Sequence, residues 1–252
     1  MKYLIGDIGN TLTKITLLDD KFKIIKSKSI DSKKLCKKIY LSRFFKFFFT
    51  SKLNSKILFS SVVPFVYKNI KFYLRSKGYK IYEIKELKVN KIIKLKVDNF
   101  KQVGSDRIAN AIGSYHTYKK NCLVIDFGTA TTFDVVKKPG IYDGGVIAPG
   151  IKLSIINLNK STALLPLLNL KTNAKSYGKN TKDALNSGFL WGYKGLINSI
   201  IEKIISTSKS NYQVILTGGY SRLFKKHISK KSIIDENITA KGIIKVYKDL
   251  LL

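Results

Sequence analysis

One short phrase occurs twice in this chain of 252 residues, and it narrows the possible folds more than any other feature. The first copy is Tyr3-Leu4-Ile5-Gly6-Asp7-Ile8-Gly9-Asn10-Thr11, followed by Lys14 and Ile15-Thr16-Leu17-Leu18. The second is Leu123-Val124-Ile125-Asp126-Phe127-Gly128-Thr129, running on through Ala130-Thr131-Thr132-Phe133-Asp134-Val135-Val136. Each reads as an apolar strand, a tight turn and a returning strand. Asp7 and Asp126 are 126 − 7 = 119 residues apart, nearly half the chain, which predicts an internally duplicated half-domain. A carboxylate at the end of an apolar strand is costly unless a cation or hydrogen-bond donors compensate it. The glycine beside it lets main chain approach a ligand, and Asn10 or Thr129 adds a polar group there. The pattern therefore predicts two hairpins that each hold phosphate and its metal ion, facing each other across a nucleotide cleft. Two ordinary hairpins with polar turns would explain one copy far better than both.

Composition bounds the rest. The length suffices for one large domain or two of ordinary size, and the repeat places the division at 1–118 and 119–252. A net charge of +31 points first towards nucleic acid or an anionic membrane. Only Arg43, Arg75, Arg107 and Arg222 among the 47 basic residues are arginine, the better planar reader of phosphates and bases. The lysines are spread along the whole chain, as a bias shared by a whole proteome would spread them, so no specific nucleic-acid or membrane partner is expected. Cys36 and Cys122 are far apart with no metal-type spacing, which suits a reducing compartment. Met1 leads straight into a strand pattern and no apolar run reaches spanning length, so a cytoplasmic protein is expected.

Between the two hairpins the pattern predicts a third strand over 22–28 and a helix capped by Asp31 or Ser32. A buried helix end or a subunit contact is expected at Phe44–Phe49, and a strand over 57–64 gives way to a helix begun by Pro64. Another strand follows over 79–84, and the Lys-rich stretch 85–99 has no clear reading. Gly104-Ser105-Asp106-Arg107 then opens a helix on which Ile108 and Ile112 share a face. An Asp in a first turn is explained by capping alone, but the positive end of a helix repels the cation of Arg107. The pair suits a substrate bearing a hydroxyl and a carboxylate, with Asp106 taking the hydroxyl proton and Arg107 clamping the carboxylate. Further on, Gly144-Gly145-Val146-Ile147-Ala148-Pro149-Gly150 marks a close approach of main chain. Gly178-Lys179-Asn180-Thr181 opens a long helix to about 205, in which Gly188, Gly192 and Gly195 are expected to allow close helix packing. Thr217-Gly218-Gly219 ends another strand in a flexible turn, and an amphipathic helix capped by Asp235 or Asn237 closes the chain.

No Gly-x-x-x-x-Gly-Lys-Ser/Thr loop, Gly-x-Gly-x-x-Gly or protein-kinase set occurs, and His116 and His227 have no metal-ligand neighbours. Asp7–Thr11, Gly104–Arg107, Asp126–Thr132, Gly144–Gly150, Gly178–Thr181 and Thr217–Gly219 follow one another in the order found in type III pantothenate kinases, and the chain resembles that family over most of its length. The resemblance implies an α/β, duplicated ribonuclease-H-like (actin-like ATPase) fold with two similar half-domains around a nucleotide cleft. It also implies a homodimer in which both subunits complete the pantothenate site.

By the same resemblance, Asp7, Ile8, Gly9, Asn10, Thr11, Leu12, Thr13 and Lys14 bind the ATP phosphates, and Thr129 contacts ATP. Asp126 binds a monovalent cation, K⁺ or NH₄⁺, while Asp7 is expected to act through hydrated Mg²⁺. Gly104, Ser105, Asp106, Arg107 and Thr181 hold pantothenate, with Asp106 as catalytic base. Ser105 stands where the family more usually has Ala, and Val97-Asp98-Asn99-Phe100 where it often has Tyr-x-Asn-Pro, which removes one expected substrate contact. The expected reaction is ATP-dependent phosphorylation of pantothenate, the first step towards coenzyme A. The alternatives are a kinase of another small hydroxy-acid or sugar on the same fold, and a non-catalytic nucleic-acid-binding regulator.

Overall fold

A computed structural model describes residues 1–49 and 52–252. Contacts divide the chain into two compact units, one of Met1–Lys119, Pro139–Asp143 and Asn237–Leu252, the other of Lys120–Lys138 and Gly144–Glu236.

The first unit contains β1 (Lys2–Ile8), β2 (Leu12–Leu18), β3 (Ile24–Asp31), α1 (Lys38–Lys46), β4 (Leu53–Ser61), α2 (Pro64–Arg75), β5 (Lys80–Glu83), β6 (Lys94–Leu95) and α3 (Ser105–Tyr118). Its sheet runs β3-β2-β1-β4-β5. β1 is antiparallel to β2 and parallel to β4, and β4 is parallel to β5. β1 is central, so Leu4, Ile5 and Ile8 are buried and the strand reads as an apolar run rather than an alternation. Gly6 interrupts that run because the Phe59 ring from β4 lies against its Cα, where any Cβ would collide. β3, at the edge, is mostly exposed and carries Lys26 and Lys28, charges that discourage edge-to-edge pairing.

The expected helix near residue 32 is divided between a 3-10 turn at Ser32–Cys36, capped by Asp31, and α1. Phe44, Phe45 and Phe48 enter the core with Leu41 and Ile70, as expected for a buried helix end. Phe47 stays outside, with Lys26 Nζ 4.1 Å from its ring centroid. The unassigned stretch 85–99 consists of two short 3-10 turns, anchored by buried Ile84 and Val89, followed by β6.

The second unit contains β7 (Cys122–Phe127), β8 (Ala130–Lys137), most of β9 (Ile141–Pro149), α4 (Ile151–Lys160), α5 (Thr181–Ser208), β10 (Gln213–Gly218), α6 (Ser221–Lys225) and β11 (Ser232–Ile234). Its strand order is β11-β10-β7-β8-β9. β7 is antiparallel to β8 and parallel to β10, and β10 is parallel to β11. Strand for strand this repeats the first unit, so the duplication expected from two short phrases extends through five strands of each sheet. Even the neighbours match: Asp7 is in register with Ser60, and Asp126 with Thr217, each pair lying across parallel strands.

One local expectation needs correction. A Cβ at Gly188, Gly192 or Gly195 would meet nothing within 4 Å, so these glycines face open space and mediate no helix packing among the described residues. The close packing falls instead on the last helix, α7 (Ile238–Leu250), and on α3. A Cβ at Gly242 would strike the Ala109 carbonyl, and one at Gly113 the Ile238 carbonyl, so the two main chains touch. α7 therefore belongs to the first compact unit, whereas the repeat alone would assign it to the second half.

Candidate functional site

In the first unit, the turn after Asp7 is a braced hairpin. The Gly9 N–H donates to the Leu12 carbonyl at 3.0 Å, leaving Asn10, Thr11 and Leu12 exposed at the tip. The buried Ser32 hydroxyl donates to the Gly9 carbonyl at 2.6 Å and lies 2.9 Å from the Thr13 hydroxyl, while its N–H donates to Thr11 O at 3.0 Å. Ile8 and Thr13 are wholly buried, so within the segment 7–14 they shape the turn or act through main chain. Ser32 was not singled out as a site residue from the sequence, where it reads as a helix cap.

Gly104–Arg107 lies beside this hairpin. Val62, just beyond β4, donates its N–H to the Ile8 carbonyl at 3.0 Å, and a Cβ at Gly104 would come within 3.3 Å of Val62 Cγ1. The start of α3 thus meets the carboxyl ends of β1 and β4. Gly104 is required for a second reason: the Asp106 carboxylate folds back over it, and a methyl there would collide with Asp106 Oδ1. That oxygen accepts the Arg107 N–H at 2.8 Å, one of the first-turn amides that has no partner inside the helix.

Burial pushes the Asp106 carboxyl above the usual carboxylate range, and the Arg107 amide and guanidinium, with the Lys85 ammonium, draw it only partly back. The Arg107 guanidinium lies 5.9 Å from the ring centroid of buried Tyr142, within cation–π reach. Ser105 is fully buried, and its hydroxyl donates to Glu83.

In the second unit, three turns close around Asp126. Gly218 has φ +81°, and a Cβ there would lie 2.6 Å from Asp126 Oδ1. Its neighbour Gly219 donates to the Phe127 carbonyl at 3.1 Å, and the Ser221 hydroxyl donates to the Gly218 carbonyl at 2.8 Å. Gly150 rests so closely on the Thr129 carbonyl that no side chain fits, which explains the Pro-Gly after β9. Gly128 and Thr129 remain exposed above these supports.

Thr181 stands apart from that cluster. It is the exposed first residue of α5, behind an Asn180 cap whose Oδ1 accepts the Asp183 N–H at 2.9 Å. Tyr193, twelve residues along α5, donates its hydroxyl to the Pro149 carbonyl at 3.4 Å next to Gly150. Twelve residues of helix rise about 18 Å, so Thr181 lies roughly that far along the helix from the turns around Asp126.

Among the described residues no group of three or more His, Cys, Asp or Glu gathers as an all-protein metal cage. A carboxylate closely flanked by glycines, as Asp126 is by Gly218 and Gly128, has the chemistry for a cation that also uses main-chain and phosphate oxygens.

A family profile described as type III pantothenate kinase matches residues 3–203. The type III pantothenate kinase of Pelagibacter ubique is 44% identical over 244 residues, covering 96% of this chain and 97% of its own. That of a Sulfurihydrogenibium species is 36% identical over 249 residues, covering 94% and 96%. Among solved structures, a protein assigned by name to the Baf family of transcriptional activators, from Campylobacter jejuni, superposes with TM-score 0.62 at 19% identity, covering 98% of both chains. The ethanolamine utilization protein EutJ from Carboxydothermus hydrogenoformans superposes with TM-score 0.58 at 14% identity, covering 96% of this chain and 89% of its own. At such identities these likenesses speak for the fold, the actin-like ATPase and sugar-kinase fold already described strand by strand. The share and identity of the sequence relatives go further: the chain belongs to the type III pantothenate kinase family.

Proposed function

We propose that this protein transfers the γ-phosphoryl group of ATP to the primary hydroxyl of pantothenate, the step that opens coenzyme A synthesis. The observation that carries the reading is the Asp106 carboxyl, half-buried at the start of α3 beside the braced hairpin and held above the usual carboxylate range by desolvation. Such a group is poised to accept a proton, and Arg107 next to it supplies a planar cation for a carboxylate.

In the reaction the substrate hydroxyl oxygen bonds to the γ-phosphorus as the bond from that phosphorus to the bridging oxygen breaks. The hydroxyl proton passes to Asp106, and ADP leaves. Arg107 fixes the acceptor through its carboxylate, with the main chain of Gly104 and Ser105 shaping the pocket floor. The exposed tip Asn10–Leu12 and the adjoining Gly9, with Asp7 and Lys14 at the base, bind the ATP phosphates, and Ile8 and Thr13 keep the tip in shape. Thr129 contacts the nucleotide. Phosphoryl transfer depends mostly on positioning and on neutralising charge, which is what polar, main-chain-lined turns of this kind provide.

The residues present suit two cations. Asp126, beside Gly218, would hold K⁺ or NH₄⁺, and Asp7 would hold Mg²⁺ through water. When bound, these ions neutralise phosphate oxygens. We infer a homodimer whose acceptor site both subunits complete, with Thr181 among the groups that hold pantothenate. Leu164, 91% exposed, and Ile147 and Leu167 offer apolar surface for that contact.

Purified protein assayed with ATP and a panel of acceptors, with and without K⁺, tests the reading. Formation of 4′-phosphopantothenate with K⁺ stimulation is expected. Turnover on another hydroxy-acid or sugar with no phosphopantothenate would overturn it, and Val97 in place of the family's Tyr is where such a change would register. Sedimentation that finds only monomer at assay concentration would remove the shared site.

A further inference from the structure

Glu83 and Lys85 belong to none of the recurring phrases, yet their side chains meet on the residues that carry Asp106. Glu83 ends β5 as a buried carboxylate. One of its oxygens accepts the buried Ser105 hydroxyl, and the other accepts the Lys85 N–H at 2.7 Å. The Lys85 side chain reaches the opposite side of the same segment. Its ammonium donates to the carbonyls of Lys101 and Val103, each at 2.9 Å, directly before Gly104. The 3-10 turn Ile84–Glu86 and its cap Glu83 therefore fasten residues 101–105 through three hydrogen bonds. That turn is itself locked, because the Glu83 N–H donates to Glu86 at 3.2 Å and Glu86 pairs with Lys71 at 2.7 Å.

Burying a carboxylate to hold a helix start is expensive when apolar packing could do the same. The cost is visible at Glu83, whose carboxyl burial pushes upward despite the Ser105 and Lys85 hydrogen bonds. The arrangement makes sense where the thing being held must be placed to a fraction of an ångström.

We infer that Glu83 and Lys85 are positioning residues for phosphoryl transfer, Glu83 fixing the start of α3 through Ser105 and Lys85 fixing the carbonyls that lead into Gly104. The inference rests on Asp106 being the base. The charged and titratable groups on this face are Arg107 from α3, Glu83, Lys85 and Glu86 from β5 and its turn, and Tyr67 and Lys71 from α2. Lys85 acts on Asp106 electrostatically as well, its cation favouring the ionised carboxylate.

The test compares Lys85→Met, Lys85→Arg, Glu83→Ala and Glu83→Gln with the wild type. Lys85→Met is expected to lower kcat about 10- to 100-fold, the usual penalty for slight misplacement of a reacting group, with KM for ATP unchanged. Loss of the cation leaves Asp106 holding its proton to higher pH, so the acid limb of kcat/KM for pantothenate moves upward. Lys85→Arg recovers both losses. Glu83→Ala lowers kcat and Glu83→Gln, which still accepts from Ser105, recovers it. Adding Ser105→Ala to Glu83→Ala costs little more, since the two share one interaction.

Amide hydrogen exchange provides a readout independent of the acceptor. Lys85→Met should speed exchange over residues 101–107 while leaving β1 and β7 protected. A wild-type kcat with an unmoved acid limb in Lys85→Met overturns the inference, and so does unchanged exchange over 101–107. If wild-type protein fails to phosphorylate pantothenate, the substrate reading falls, and the exchange measurement still decides whether the turn positions the helix start.

Discussion

At the scale of single residues, Asp106 combines two demands that oppose each other. Its carboxyl is partly desolvated, which raises its pKa, and yet it must be ionised to take a proton. Activity should therefore fall as pH drops through a value above the usual carboxylate range, and a pH profile of kcat/KM reads that limb directly. The stability consequence has the opposite sense. A carboxyl with a raised pKa binds its proton more tightly in the folded than in the unfolded chain, so its contribution favours the fold at low pH and is lost as pH rises through the folded value. Asp106→Asn should then raise the melting temperature at neutral pH while lowering kcat by ~10²–10⁴ and leaving ATP binding intact. Calorimetry and a kinetic assay on one preparation check both. Gly218 offers a second residue-scale test. Its φ of +81° and the closeness of Asp126 mean that Gly218→Ala adds backbone strain and pushes on the carboxylate. A stability loss of about 1–3 kcal/mol is expected, together with a higher K⁺ concentration for half-activation. A K⁺ titration that matches wild type would separate Asp126 from cation binding.

At the scale of elements, the hairpins are supported differently although they arise from one repeated phrase. The β1–β2 turn is braced by a side chain, Ser32, whereas the β7–β8 turn is braced by main chain at Gly150 and Gly218. Ser32→Ala should therefore loosen the first turn, raising KM for ATP several-fold, and should cost about 1–3 kcal/mol of stability by leaving the buried Thr13 hydroxyl and the Gly9 carbonyl without this partner. The α3–α7 crossing is a matter of stability. Because Gly242 touches the Ala109 carbonyl, Gly242→Ala forces the helices apart and should cost about 1–3 kcal/mol, the usual penalty for overpacking. A lower urea midpoint at unchanged slope would show that stability moved and compactness did not.

At the scale of the whole molecule, the charge of +31 invites a nucleic-acid reading, and the fold is shared with a protein assigned to a family of transcriptional activators. Against it, Asp7, Asp106, Asp126 and Asp134 are among only 16 acidic residues, and the first three stand near the ends of β1 and β7 and at the start of α3. A polyanion surface has no need of them there. Weak, unspecific DNA association is expected, vanishing near physiological salt, with log K falling by ~0.9 per phosphate contact against log salt. Tight sequence-selective binding that survives that salt, with no ATP turnover, would reverse the assignment.

Much of this was legible in one dimension, for a physical reason. Strand, turn and carboxylate in the two hairpins are local: each copy of the phrase lies within a dozen or so residues, so periodicity and turn chemistry reveal it without any partner. The start of α3 is local too, which is why Asp106 and Arg107 stood out. Other features depend on residues distant along the chain, and only the tertiary structure decided them. Glu83 meets Ser105 across 22 residues, and Ser32 reaches back 23 to Gly9. α7 packs on α3, more than a hundred residues earlier, because glycines at 113 and 242 let two main chains touch. The glycines of α5, although they recur at helical spacing, face open space. A small residue in a sequence says that an approach is allowed, and only the fold says whether anything approaches.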